Sequence, residues 1–455
     1  MMQNLINKYN IPVPRYTSYP PANFFHENFG EQEYKDAILA SNEQQPQSLS
    51  FYFHIPYCMR LCHYCGCNSY AAPDNQTLER YIAALHKEID KVIPLIRKDR
   101  KISQIHYGGG TPTFLPASEL SALNKHVLKA FETIEKPEIA IECHAGWMNE
   151  KDWKALVDAG FNRFSLGIQD FDEKVLEAVH RKAPAMPVAD IMEILRSAGA
   201  SVNMDFLYGL PHQTVESFTR TIEKAVGLQP DRLVTFSYAH VPWAFPRQKI
   251  LEQYGLPEGE VKSQMFESAR EVLCEAGYQP IGLDHFVRED DELAIALKNG
   301  QLHRNFQGYC TRRTTGQVYA FGVTGISQLG TAYIQNTKSI PEYIEKLEAD
   351  TLPVAKGYAL NKDEQITREV IEMLMCNYTL RWEELANRLS LSVEEIKQAT
   401  AYNEQRLQEF ADDGLITWDS NHIQMTSEGK LFVRNVAASL DKLMLKTDKS
   451  FSRPV

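Results

Sequence analysis

The sequence contains no apolar run near the roughly eighteen residues of a bilayer-crossing helix, and MMQNLINKYN lacks the charged, apolar and small-residue succession of a signal peptide. Neither membrane insertion nor secretion is expected, which places the chain in the cytoplasm with no membrane partner. Positive charge is also in short supply. With 48 Lys and Arg against 59 Asp and Glu, the net charge is -11. Phosphate contacts need clustered cations, so this balance argues against a nucleic-acid binder, while leaving room for an anionic small substrate held by a few local cations. Internal repeats and low-complexity segments are missing. No second CxxC pair occurs either, although structural zinc usually draws its ligands as two separated pairs.

One cysteine cluster organises what is there. In YFHIPYCMRLCHYCGCNS (52 to 69), Cys58, Cys62, Cys65 and Cys67 place half of the eight cysteines within ten residues. Thiolates this dense serve as disulfide partners, zinc ligands or ligands to an iron–sulfur cluster. A gap of three residues and then of two wraps one loop round one cluster, and a reducing cytoplasm keeps such thiols free. Cys67 is the extra member: a fourth ligand, a buried neutral thiol or a catalytic group. Cys143, Cys274, Cys310 and Cys376 are scattered and read as small buried hydrophobes.

A chain of 455 residues suggests about two or three domains. Residues 1 to 48 form a mostly irregular N-terminal arm that packs on the active site, centred on PVPRYTSYPPANFF, whose Arg15 suits an acidic ligand. From Leu49, β-rich runs at 49–55, 102–107, 138–143, 163–168, 202–207 and 233–238 alternate with amphipathic segments near 75–97, 117–133, 150–159, 187–198 and 215–227. Asn149 suits an N-cap, and Gly160 and Gly199 follow helix ends. Such alternation predicts a parallel sheet covered by helices: an α/β fold with an incomplete (β/α)6 barrel, in a catalytic domain spanning 49–345. The stretch 279–330 is expected to close that domain and lid its pocket. Residues 346–455 predict a mainly helical, winged-helix-like domain with helices at about 362–376, 381–389 and 392–412, a β-pair through LITWDSNHIQM and a final helix. Its third helix carries Glu394, Glu395, Glu404 and Glu409 against Lys397 and Arg406. Phosphate would repel it, so this domain is read as a cover for the active site.

The unusual residues collect at strand ends. The cysteine loop follows the first strand and GGGTPT (Gly108 to Thr113) the second. Glu142 ends the third, Gln169 the fourth, Asp205 lies in the last turn of the fifth, and Ala239 and His240 follow the sixth. In β/α barrels these ends form the rim where chemistry collects. Glycines let the backbone approach a ligand closely. Glu142, Gln169 and Asp205 read either as ligand-binding groups or as satisfied rim side chains, and Arg181 either as a ligand contact or as a solvated arginine. Tyr52 and Tyr64 flank the cysteines, where aromatics pack on a ring and exclude water. His54 reads as a proton-handling group or as a structural histidine tied to the loop. His240, Trp243, His285, Arg288, His303, Arg304, Arg312 and Arg313 are candidates to line a substrate pocket.

The CxxxCxxC of Cys58, Cys62 and Cys65 resembles the motif of radical S-adenosylmethionine (SAM) enzymes. That resemblance implies a 4Fe-4S cluster held by these three cysteines, with one iron left open to chelate SAM, and an electron that cleaves the sulfonium to a 5′-deoxyadenosyl radical. More of the chain joins it. PRYTSYP, YFHIPYCMRLCHYCGCN, HYGGGTPT, GFNRFSLGIQDF, DFLYGLPHQT, FSYAHVP, GLDHFVREDDELA and LHRNFQGY resemble the oxygen-independent coproporphyrinogen III oxidases of bacterial haem biosynthesis. The CxC ending at Cys67 and the RYTSYP arm are the most specific of these signs.

The family resemblance implies oxidative decarboxylation of two propionates of coproporphyrinogen III to the vinyl groups of protoporphyrinogen IX, each with loss of a hydrogen atom, carbon dioxide and an electron. It implies two SAM molecules, one at Tyr52, Tyr64, Gly109, Glu142, Ala239 and Ile326, and a second at Gly110, Thr111, Gln169, Arg181 and Asp205. Cys67, His54 and Arg15 are the catalytic candidates. Arg15 and the arginines of 288 to 313 are assigned to the substrate carboxylates. The expected partners are coproporphyrinogen III and an electron donor such as flavodoxin or ferredoxin, acting on a monomer. Two stretches depart from the family pattern. Glu142-Cys143-His144-Ala145-Gly146 stands where Glu-Val-Asp-Pro-Arg is common, and Ala320 and Phe321 stand where a glycine and an aliphatic residue are usual. Two rival readings share the scaffold: a haem chaperone, which typically lacks the CxC and the RYTSYP arm, and a radical SAM enzyme that modifies another tetrapyrrole.

Overall fold

The computed structural model describes residues 2–311 and 316–452. Its N-terminal arm is more regular than expected, because α1 (Met2–Tyr9) and α2 (Glu31–Ser41) flank the proline-rich stretch. Pro12, Pro14, Pro20 and Pro21 lack the N–H that a helix interior needs, so only the segment between the helices stays extended. Glu31 and Glu33 favour the start of α2 by opposing its dipole.

Six runs form the expected strands: β1 (Leu49–Ile55), β2 (Ile102–Gly109), β3 (Thr133–Cys143), β4 (Arg163–Gln169), β5 (Ser201–Tyr208) and β6 (Arg232–Ser237). They pair in sequence order and all in parallel. The returns run through α3 (Asn75–Val92), α4 (Ala117–Leu128), α5 (Glu150–Asp158), a short α6 (Glu173–Ala178) followed by α7 (Val188–Ser197), and α8 (Val215–Gly227). Asn149 caps α5 as its sequence predicts. α3 stops short of the expected 97 because Pro94 converts its end into a 3-10 turn.

The sheet continues beyond these six strands. β7 (Tyr278–Ile281) and β8 (His285–Arg288) extend it antiparallel past β6. After a separate hairpin of β9 (Leu302–Asn305) and β10 (Gly308–Thr311), β11 (Gln317–Phe321) lies parallel to the free side of β1. Antiparallel β12 (Ile326–Gln328), β13 (Ala332–Asn336) and β14 (Val354–Ala359) complete one twelve-stranded sheet, ordered β14-β13-β12-β11-β1-β2-β3-β4-β5-β6-β8-β7 among the described residues. The stretch expected to lid the pocket is therefore built into the sheet on both flanks of the barrel.

Burial alternates along β4 and β5 with the period of a pleated strand. Phe164, Leu166, Met204 and Phe206 are buried in the main apolar core, which also holds Phe51 and Tyr107. The half-buried set, Ser165, Gly167, Gln169, Asn203 and Asp205, makes a polar inner face. A second apolar core joins Tyr9, Tyr16, Tyr19 and Phe25 of the arm to Leu374, Trp382, Phe410 and Phe432 of the C-terminal part. That part has helices at Lys362–Asn377, Trp382–Leu389, Val393–Ala399, Glu404–Asp412 and Val433–Ser439 beside a three-stranded sheet. The single helix expected over 392–412 is broken in two, because Asn403 turns out of the helix to cap the second half. No described helix is long and apolar enough to cross a membrane.

Candidate active site

The cysteine loop leaves β1 and is fixed from several sides. Tyr70 N donates to Pro56 O at 2.8 Å, Gly110 N to Ile55 O at 2.8 Å, Thr111 N to Tyr57 O at 3.0 Å and His63 N to Val179 O at 2.9 Å. Cys58 and Cys62 are buried, Cys65 is partly exposed, Cys67 is exposed, and all are free thiols. Each of the first three sulfurs meets its own donor. Thr111 Oγ1 lies 3.3 Å from Cys58 Sγ, Arg181 Nη1 3.5 Å from Cys62 Sγ, and the Cys67 backbone N 3.4 Å from Cys65 Sγ. Burial, reinforced by Cys65 and Cys62, pushes the Cys58 thiol up to about 11. Cys65 and Cys67 share a hydrogen bond that lowers the first and raises the second.

These residues fit a cluster with three protein thiolates. Among the described residues no three His, Cys, Asp or Glu side chains gather round one point as a lone ion requires. Thiolates that each take a different iron of a cube need no such point. A Cβ at Gly110 would lie 2.6 Å from Pro56 O and 3.1 Å from Cys58 Sγ, so the second loop passes the sulfur as bare backbone. Cys58, Cys62 and Cys65 would hold the cluster, with hydrogen-bond donors already beside their sulfurs.

The glycine loop ends β2 beside two inward side chains of β1. Gly109 has φ +114, and a Cβ there would lie 2.7 Å from the His54 ring. His54 is buried, with Nδ1 3.2 Å from Tyr52 OH and Nε2 3.1 Å from Asn68 O. Burial pulls it down to about 4, so it is neutral at physiological pH. Glu142 reaches over from β3, its Oε1 3.2 Å from His106 Nε2, while the Tyr52 ring stacks on His106 at 5.9 Å. HYGGGTPT does not by itself mark His106 as a partner of Glu142. The histidine lies two residues before Gly108 and so on the same face of the strand, which was the available signal.

On the opposite wall, Gln169 ends β4 with φ 71, a left-handed conformation that side chains adopt at some cost. Beside it Arg181 is buried, donating to Tyr64 OH at 3.2 Å and to the Gly167 carbonyl. Asp205 accepts from Ser165 Oγ and from Asn203 Nδ2, each at 2.7 Å. Burial raises its carboxyl to about 6, against the pull of those two donors. Ser165 and Asn203 are also partners that the sequence did not single out.

The rim thus gathers Tyr52, His54, the cysteines, Tyr64, Gly109, Gly110, Thr111, Glu142, Gln169, Arg181 and Asp205. Ala239 is exposed just past β6. Ile326 opens β12 opposite Gln335 and packs on the core shared by the arm and the C-terminal helices. Arg15 lies apart, its side chain 56% exposed and Nη2 3.9 Å from Asp284 Oδ2. Among the pocket candidates, Trp243 is 80% exposed, His240 is tied to Tyr238 and Glu252, and His285 is tied to Asp284. Arg288 is misplaced by the sequence reading. β8 runs antiparallel to β6, with Val287 opposite Arg232, which carries Arg288 to the N-terminal end of the barrel near Asp290. Arg312 and Arg313 lie outside the described residues.

The radical SAM superfamily profile matches residues 52–225, and that of the HemN C-terminal domain residues 360–432. The chain is 38% identical to the oxygen-independent coproporphyrinogen III oxidase of Synechocystis sp., over 99% of this chain and 97% of the relative. It is 38% identical to that of Escherichia coli, over 99% and 98%, and 36% identical to that of Helicobacter pylori, over 98% of each. The solved structure of Escherichia coli coproporphyrinogen III oxidase (HemN), described as a radical SAM enzyme, superposes with a TM-score of 0.87 at 36% identity, covering 97% of this chain and 98% of the other.

Proposed function

The chain belongs to the oxygen-independent coproporphyrinogen III oxidases of the radical SAM superfamily, which act in haem biosynthesis with a 4Fe-4S cluster and SAM, and we propose how its residues serve that reaction. The substrate is coproporphyrinogen III and the product of oxidative decarboxylation is protoporphyrinogen IX. When bound, the cluster and SAM together supply a carbon-centred radical able to take a hydrogen atom from an unactivated propionate carbon.

Cys58, Cys62 and Cys65 hold the cluster. One SAM meets Tyr52, Tyr64, Gly109, Glu142, Ala239 and Ile326, and a second meets Gly110, Thr111, Gln169, Arg181 and Asp205, one cofactor for each propionate. His54, neutral and held at both ring nitrogens, orients Tyr52 and the loop at Asn68. Arg15 is free to turn from Asp284 to a substrate carboxylate. The arm 1–48 and the C-terminal domain, which starts near 360 after β14 rather than at the expected 346, cover the catalytic domain, the arm bonded to Asp441 and Arg434 of that cover. The enzyme works as a cytoplasmic monomer that receives electrons from a flavodoxin or ferredoxin and engages neither nucleic acid nor membrane.

One observation carries this reading: three cysteine sulfurs of a single loop each face a separate donor at the C-terminal rim of a parallel barrel. The test is anaerobic reconstitution with iron and sulfide, then SAM, reductant and coproporphyrinogen III. Carbon dioxide and protoporphyrinogen IX are expected, with two SAM consumed per product. Stable haem binding without turnover, or a methylated or ring-opened tetrapyrrole, would refute it.

A further inference from the structure

Reducing the cluster takes an electron from outside the chain. Electron transfer weakens steeply with distance, so a carrier has to meet the enzyme where the cysteine loop nears solvent. That place has a defined composition. Met59 and Arg60, between the first two cysteines, are exposed, Met59 by 53%. The turn after β3 presents Trp147, 36% exposed, and the turn after α6 presents His180 and Lys182, both exposed. These pieces are contiguous. Lys182 Nζ lies 4.1 Å and the Arg60 guanidinium 5.7 Å from the centre of the Trp147 ring. His180 stacks on His63 at 4.9 Å, and its Nδ1 is 3.0 Å from Leu61 O. A Cβ at Gly146 would lie 2.8 Å from Lys182 O, which shows how closely the two turns abut.

The face is cationic on a chain of net charge -11. The strongest charges acting on His144, buried beside Trp147, are those of Arg181, Lys182 and Arg60, all positive. Glu150, the acid that next follows Trp147, is held by Lys154 at 2.5 Å, and Glu177 lies one turn before His180 on α6. The face also includes the stretch where the chain departs from the family pattern, with His144 in place of an aspartate.

We propose that Met59, Arg60, Trp147, His180 and Lys182 form the docking face for an acidic one-electron carrier protein that reduces the cluster. The inference rests on the functional reading above. An acidic partner is repelled by most of this surface, so a local cationic patch sets its orientation, while Trp147 and Met59 give the contact an apolar centre. The reduced carrier gives up one electron, the cluster gains it, and no bond forms or breaks.

Flavodoxin is the probe. Its affinity for the cluster-loaded enzyme, measured by isothermal titration at low salt, should fall about tenfold or more in the Arg60→Glu/Lys182→Glu variant, and should weaken in wild type as salt rises. Trp147→Ala, which leaves the charges in place, should weaken it about threefold. SAM cleavage driven by flavodoxin falls with affinity, whereas cleavage driven by dithionite keeps the wild-type rate. Should the double variant lose its fold, Arg60→Gln and Lys182→Gln are measured singly. Unchanged flavodoxin affinity, equal loss with both reductants, or a wild type that binds no flavodoxin yet cleaves SAM with dithionite overturns the docking face and spares the functional reading. A wild type that cleaves no SAM with dithionite defeats that reading, and the docking face with it.

Discussion

The Arg181 guanidinium lies 3.5 Å from the Cys62 sulfur, although 119 residues of chain separate the two. The same side chain donates to Tyr64 OH and to the Gly167 carbonyl, so one buried arginine ties the last turn of β4 to the cysteine loop. Arg181→Lys keeps the charge and loses the planar fork. It should retain full iron content while loosening SAM binding about tenfold in equilibrium dialysis. Wild-type affinity in this variant would show that the arginine only braces the loop.

The cysteines divide by their surroundings. Cys62→Ser, at a buried sulfur, should abolish both bound iron and SAM cleavage. Cys67→Ser, at the exposed thiol, should keep its iron, since the backbone N that reaches Cys65 is untouched and a serine hydroxyl can replace the side-chain hydrogen bond between the two. Iron analysis of the two anaerobic proteins decides the assignment.

Much of this was legible in the sequence, and the rest was hidden for specific reasons. β1 to β6 announce themselves because β-rich runs of six to eleven residues alternate with amphipathic helices. β7, β8 and β11 to β14 are only three to six residues long, too short for their period to stand out. Arg181 in VHRK looks like a solvated charge. What buries it is His180, whose left-handed φ of 60 ends α6 and turns the next residue inward, a feature with no local sequence mark. Contacts between distant segments, such as Tyr81 OH donating to His54 O, were equally invisible.

Gly110→Ala should block cluster assembly without unfolding the barrel. The added methyl would meet Pro56 O at 2.6 Å and Cys58 Sγ at 3.1 Å, and backbone cannot give way as a side-chain tip can. Retained far-ultraviolet circular dichroism with lost iron is the expected pair of results.

Asp205 gives the barrel a pH signature. Burial lifts its carboxyl from 3.8 to about 6. Across that window the folded protein holds a proton that the unfolded chain has shed, so this group favours the native state at lower pH. Its contribution declines as pH rises, by up to about 3 kcal/mol once above the folded value. Asp205→Asn should flatten the dependence. Urea midpoints of both proteins between pH 4 and pH 7 test it, and parallel curves would contradict the assignment.

Asp441 accepts from Tyr16 OH at 2.8 Å and from Tyr19 OH at 3.1 Å. Asp441→Ala strands both phenols and should cost about 2 kcal/mol. Trypsin should then cut faster after Arg15, as read by the rate of appearance of the shortened chain.

That clasp has an order in time. Tyr16 and Asp441 stand 425 positions apart, and Val13 is bonded to Ser452. On the ribosome the arm emerges before the barrel and the barrel before Asp441, so the arm waits unseated while the segments between are made. Fastening the arm is therefore a late, long-range step, made only after the segments between its two halves exist.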